Sequence, residues 1–253
     1  MHRKKRILLT NDDGYFSDGI NVLFKALQKT ADVFIVAPDR EQSASSHSLT
    51  LKRPLRVHKL DSRRYAIDGT PTDCIMLAIH LFFKRRKPDM IISGINHGAN
   101  MGEDVTYSGT VAAAIEGSIL GIPSIAVSMA DWEPGTPMVR AARFVVKLVA
   151  FYHRLNLGPS TFLNVNLPRD YGQPYRKYEF TGLGARLYKD YVIHKTDPRG
   201  KAYYWIGGHA TWKMTKGSDF EAVQRRAVSI TPLKLKFTDG DSLRRLQGLK
   251  LRL

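Results

Sequence analysis

The sequence predicts an α/β protein: a three-layer, Rossmann-like core built on a mostly parallel sheet, followed by a smaller, mainly β C-terminal extension. Three observations carry this expectation. Short apolar runs of strand length alternate with segments whose apolar residues recur at helical spacing, from Ile7 as far as Val165. The strand-length runs are continuous, as in strands covered on both faces. After Pro168 the chain turns to Tyr- and Gly-rich short segments without helical periodicity. Residues 1–168 are therefore assigned to the core and 169–253 to the extension, with room in the extension for a helix or strand that returns to the core.

The elements follow in order. Ile7-Leu8-Leu9-Thr10 is the first strand, and Ile20, Leu23, Phe24 and Leu27 mark the helix after it. The second strand, 33–37, ends at Pro38-Asp39, and a right-handed crossover makes the two parallel. Alternation on either side of a polar turn, Leu55 and Val57 against Tyr65 and Ile67, predicts an edge hairpin. A helix over 72–83 follows, and the run Lys84-Arg85-Arg86-Lys87 reads as its solvated end, where cations complement the dipole. Next come a strand at 90–93, a small-residue helix at 110–120, a strand at 124–127, a helix at 138–151 and a strand at 162–165. A last strand-like run spans 227–231.

Composition narrows the function classes. With 43% hydrophobic and 25% charged residues, the chain is neither disordered nor fibrous. The single Cys74 excludes an intrachain disulfide and a Cys-based zinc site, and fits a reducing, cytoplasmic compartment. The basic start is followed by only three apolar residues before the charges of Asp12 and Asp13, too few for an export signal, and no run is long enough to span a bilayer. The net charge of +16 favours anionic ligands: nucleotides, nucleic acid or polyphosphate.

Three polar loops leave strands at one edge of the expected sheet, where open α/β folds bind ligands. Asn11-Asp12-Asp13-Gly14 leaves the first strand, 38–43 the second, and 93–100 a later one. Two adjacent carboxylates at a strand end repel each other, and a divalent cation relieves that repulsion. Oxygen donors favour Mg²⁺ or Mn²⁺, with Ser43 and Asn96 as neutral partners. Taken alone, Asn-Asp-Asp-Gly reads first as an Asx-type turn with Gly14 supplying positive φ, so both readings stand at this point. Ser108, Gly109 and Thr110 open a helix of small residues, so their free N–H groups suit an anion or an ordinary cap. Asn100 lies between these segments. His47 and His97 are candidate proton donors that rank below the carboxylates. No Walker loop and no Gly-x-Ser-x-Gly elbow is present.

The motifs ILLTNDDG, VAPDREQSASSHSLTL, YAIDGTPTDC, PDMIISGINHGANMGEDVTYSGTVAAAIEG and LGIPSIAVS, then LNVNLP, DPRGKAYYWIGG and VSITPL, occur here in order. Together they resemble the SurE family of stationary-phase survival proteins over nearly the whole chain. The resemblance implies a metal-dependent phosphatase acting on nucleoside 5′- and 3′-monophosphates, with short-chain polyphosphate as a further substrate class. It implies one Mg²⁺ or Mn²⁺ held by Asp12, Asp13, Ser43 and Asn96, with Asp12 and Asp13 catalytic. It places the phosphate against Asn100, Ser108, Gly109 and Thr110. It also implies a homodimer or homotetramer assembled through the C-terminal part, and neither a membrane nor a specific nucleic acid as partner. The choice of Ser43 over Ser45 and Ser46 rests on the resemblance alone. Two places depart from the family pattern: Arg225-Arg226-Ala227, and Asp18 where proline is common.

Overall fold

The computed structural model describes residues 4–169, 172–187, 192–206 and 211–249. The first three residues of the basic start, Gly207 and Gly208 of the DPRGKAYYWIGG motif, and the end of the predicted extension at 250–253 lie outside these. The first half of the chain runs β1 (Arg6–Thr10), α1 (Asp18–Leu27), β2 (Asp32–Pro38), β3 (Val57–Lys59), β4 (Arg64–Ile67), α2 (Pro71–Phe82), β5 (Met90–His97) and α3 (Gly109–Ile119). The second half runs β6 (Ser124–Met129), α4 (Val139–Phe151), β7 (Thr161–Leu167), β8 (Tyr178–Phe180), β9 (Ala185–Leu187), β10 (Val192–Thr196), β11 (Ala202–Ile206), β12 (Thr211–Lys213), α5 (Asp219–Gln224), β13 (Val228–Lys234) and α6 (Gly240–Gln247).

The main sheet has the order β3-β4-β2-β1-β5-β6-β7-β13-β8. Its centre, from β4 to β7, is parallel throughout. Successive side chains of β1 point to opposite faces: Ile7 and Leu9 pack with α1 and α4, while Leu8 packs with α2. Both faces are therefore dry, which explains the uninterrupted apolar runs. Pro71 opens α2, and Thr70 and Asp73 close a reciprocal capping box on it.

Beyond β7 the sheet turns antiparallel, because β13 returns from near the end of the chain and pairs with β7, with β8 beside it. Periodicity does not disclose α5 and α6. They are short, and start from the side-chain caps of Ser218 and Asp239. Two small antiparallel pairs, β10–β11 and β9–β12, stand apart from the main sheet. The basic run after α2 is engaged: Arg86 pairs with Asp89 at 2.8 Å and Lys87 donates to the Leu120 carbonyl at 2.7 Å. Of the departing residues, Asp18 sits in the first turn of α1, where its charge suits the helix dipole, and Arg225 pairs with Glu179 at 2.7 Å.

From β1 the chain builds outward one way through β2 and β4, then returns to the other side of β1 as β5 and β6. Strand order thus reverses between β1 and β5, and the crevice that open α/β sheets use for ligands lies outside their carboxyl ends. The β5 to β6 register shifts between Ser93 and Asn96, where Gly94 has φ +125° and a Cβ would stand 2.2 Å from the Val127 carbonyl oxygen. This irregularity re-aims the end of β5 at the switch point.

The start of α1 presses on the same bulge. A Cβ on Gly19 would lie 2.0 Å from the Ile95 carbonyl oxygen. Helix propensity alone predicts that Gly19→Ala stabilises by about 1 kcal/mol. The close approach reverses the sign: we expect a loss of about 2–3 kcal/mol, measured as a lower urea midpoint, and an unchanged or raised midpoint would contradict this packing.

Candidate active site

The turn after β1 is made by Asn11. Its Nδ2 donates to the Gly14 carbonyl at 2.9 Å and to Ser17 Oγ at 2.8 Å, while Gly14 supplies φ +94°. Asp12 and Asp13 are thereby spared turn duty and face the switch point as side chains. Asp12 is 4% exposed. Its Oδ2 accepts from the Thr110 N–H at 3.0 Å and its Oδ1 from the Thr110 hydroxyl. Burial raises the Asp12 carboxyl above its ordinary range, and the Thr110 hydrogen bonds offset part of the rise. In Asp13, burial first and the neighbouring Asp12 charge second push the carboxyl up to about 7. Asp13 Oδ2 is buried without a hydrogen-bond partner, and Oδ1 lies 3.4 Å from His97 Nδ1. His97 stacks on Trp132 with ring centroids 4.0 Å apart and 3° between planes. Burial holds its pKa below the usual histidine value, which keeps the ring neutral near pH 7.

The other expected site residues take distinct places. Asn96, at the end of β5, donates from Nδ2 to the Gly98 carbonyl at 2.9 Å. Ser43 is exposed and donates to Glu41 Oε1 at 2.7 Å. Ser108 caps α3, accepting from the Val111 N–H at 3.1 Å. Gly109 lies so close to Asp12 that a Cβ there would stand 2.9 Å from Asp12 Cβ. Thr110, expected against phosphate, directs its hydroxyl and N–H to Asp12. Asn100 is fixed by Ser128, Asn164 and Asn166: its N–H donates to Asn166 Oδ1 and its Nδ2 to Ser128 Oγ, both at 2.8 Å, and its carbonyl accepts from both asparagine amides.

Several supporting groups had no sequence signal strong enough to single them out. Asn164 and Asn166 sit two apart on β7, so both reach one face, and the LNVNLP motif that holds them gave no reason by itself to link them to Asn100. Asp219, fully buried at the start of α5, accepts from the N–H groups of Gly102 and Gly184 at 2.9 and 2.8 Å. The C-terminal part thus clamps the loop that carries Asn100. The Ser218 and Glu221 cap pattern was the available cue.

The donor set fits a hard divalent cation. Among the described residues no three His, Cys, Asp or Glu side chains cluster as metal ligands. A cation here would therefore rest on the two carboxylates and neutral oxygens. The orphaned, buried Asp13 Oδ2 supplies a free ligand atom. A shared cation would also offset the burial that raises both acids and the Asp12 charge that adds to the rise at Asp13.

Residues 7–190 match the family model described as survival protein SurE. A protein named 5′-nucleotidase SurE from Geotalea daltonii is 49% identical over 94% of this chain and 96% of its own length. One of the same name from Pelobacter propionicus is 50% identical over 94% and 96%. The crystal structure of the SurE protein from Aquifex aeolicus superposes with a TM-score of 0.84 at 41% identity, covering 96% of this chain and 99% of that one. Similar across nearly its whole length in both sequence and fold, the chain belongs to the SurE family.

Proposed function

We propose that the protein is a metal-dependent phosphomonoesterase that releases phosphate from nucleoside 5′- and 3′-monophosphates, with short-chain polyphosphate as a further substrate. The observation that carries this reading is the pair of buried Asp12 and largely buried Asp13 beside the amino end of α3, at the reversal of strand order. The names of the Geotalea and Pelobacter relatives support the nucleotide class.

Asp12, Asp13, Asn96 and Ser43 would hold Mg²⁺ or Mn²⁺, with Ser43 turning away from Glu41 to do so. Such a cation, when bound, supplies charge neutralisation for the phosphoryl group and acidifies water. The chain's own residues do the rest. Thr110 orients Asp12 by donating to both of its oxygens, which offsets part of the rise that burial imposes on that carboxyl. The buried amino end of α3 lies beside Asp12, and the positive end of its dipole would favour phosphate oxygens brought there. The braces on Asn100 hold the loop over the crevice rigid, so substrate meets a preformed site. The deciding experiment is phosphate release from AMP and GMP after chelation and again after Mn²⁺ or Mg²⁺ is restored. Activity undiminished by chelation would overturn metal dependence, and no release under any condition would overturn the phosphatase reading.

We also propose a homodimer or homotetramer joined through the C-terminal part. Every residue of β10 and β11 is exposed, including Trp205 at 63% and Ile206 at 74%. Ile193 faces Trp205 across the pair and Val192 faces Ile206, so both faces of the hairpin carry apolar side chains. A lone two-stranded hairpin is marginal in water, and a second copy would cover it. Replacing Trp205 and Ile206 together by Lys is expected to yield monomers in light scattering; an unchanged mass would rule out this interface.

A further inference from the structure

The loop between β2 and β3 passes through two left-handed residues that are not glycine, Ala44 at φ 55° and Ser46 at φ 52°. A Cβ disfavours that conformation, and it persists where surrounding contacts enforce it. Here four contacts do so. The Gln42 N–H donates to the Asp12 carbonyl at 2.7 Å, and the Ser46 N–H to the Tyr107 carbonyl at 3.0 Å. Ser46 Oγ donates to the Thr106 carbonyl at 2.8 Å. His47 Nε2 lies 2.9 Å from Oε2 of Glu116, an 8% exposed residue on α3. The loop is thus fixed to both Asp12 and the segment that opens and forms α3.

Ser45 stands between the two left-handed residues. Its Oγ is buried and has no hydrogen-bond partner. It packs against Gly109: a Cβ built there would lie 2.6 Å from Ser45 Oγ, 2.9 Å from Asp12 Cβ and 3.1 Å from Asp12 Oδ2. The Ser45 hydroxyl, the Asp12 carboxylate and the first residue of α3 therefore meet at one place. Ser43, by contrast, is exposed and bonded to Glu41. A buried hydroxyl without an acceptor is unfavourable, and an anionic oxygen would supply the acceptor with charge assistance.

We propose that Ser45 Oγ is a further substrate-binding group, donating its hydrogen bond to a phosphoryl oxygen held at the amino end of α3. This rests on the phosphatase reading above. The strained loop, tied through His47 and Glu116, then serves to keep that hydroxyl in place.

The test compares wild type with Ser45→Ala in three measurements: KM and kcat for AMP with Mn²⁺, calorimetric binding of inorganic phosphate, and thermal melting without ligand. Loss of one hydrogen bond to a charged group should raise KM and weaken phosphate binding by about tenfold. Melting should stay level or rise, since no native hydrogen bond is lost. Equal KM and equal phosphate affinity in the two proteins would overturn the role of Ser45 and leave the phosphatase reading intact. A lower melting temperature with unchanged affinity would make Ser45 purely structural. Phosphate binding by wild type without turnover would overturn the phosphatase reading, while the affinity ratio would still decide for or against Ser45. Failure of wild type to bind phosphate at all would overturn the proposal.

Discussion

Asp12→Asn is expected to lower phosphate release from AMP by about 10²–10³-fold, the scale of removing one preorganised electrostatic group, while the fold survives. The survival follows from the partners of Asp12. An Asn side chain can still accept the Thr110 N–H through its amide oxygen, and the Thr110 hydroxyl can rotate to accept from the new amide N–H. What disappears is the negative charge. Turnover measured beside a far-ultraviolet spectrum and a melting curve separates these effects. Turnover within a few-fold of wild type would show that the Asp12 charge does no chemistry, and a collapsed melting curve would show that it serves the fold.

A second large effect concerns pH. Without divalent metal, stability should fall as pH rises from about 4 to about 7, and Asp13→Asn should flatten that slope. The Asp13 carboxyl, ordinarily near 3.8, is pushed up to about 7 by burial and by the Asp12 charge. Below 4 the group is protonated in both the folded and the unfolded chain, so it adds no penalty. Between those limits the unfolded chain releases a proton that the folded chain retains, and above 7 the full penalty applies. The difference corresponds to roughly 4 kcal/mol between the two protonation states.

Mn²⁺ or Mg²⁺ should reverse the trend, because a cation competes with the proton for the same oxygens. The rise in melting temperature on adding metal should then be larger at pH 8 than at pH 5. A metal effect equal at both pH values, or a slope untouched in Asp13→Asn, would separate Asp13 from cation binding.

Much of the fold was legible in the sequence. The parallel strands announced themselves because sheets covered on both faces need continuous apolar runs, and Ile7, Leu8 and Leu9 are buried in alternate directions as that rule requires. The polar loops at strand ends followed from the same pattern. The short helices α5 and α6 escaped because a helix of two turns shows too little period and depends on its caps. Thr110 was expected against phosphate because the amino end of a helix is a generic anion site, and local sequence holds no sign that its N–H and hydroxyl also meet a carboxylate 98 positions away.

The sequence alone determined the element types of residues 1–168, the acid pair and the hydroxyl-rich turns, since these depend on side-chain chemistry and spacing within a few residues. Only tertiary structure decided that β5 lies against β1, that β13 closes the sheet beyond β7, and that Ser45 points inward while Ser43 faces solvent. Those outcomes depend on strand pairing and loop anchoring between residues far apart in the chain, where free energy is set by which surfaces meet.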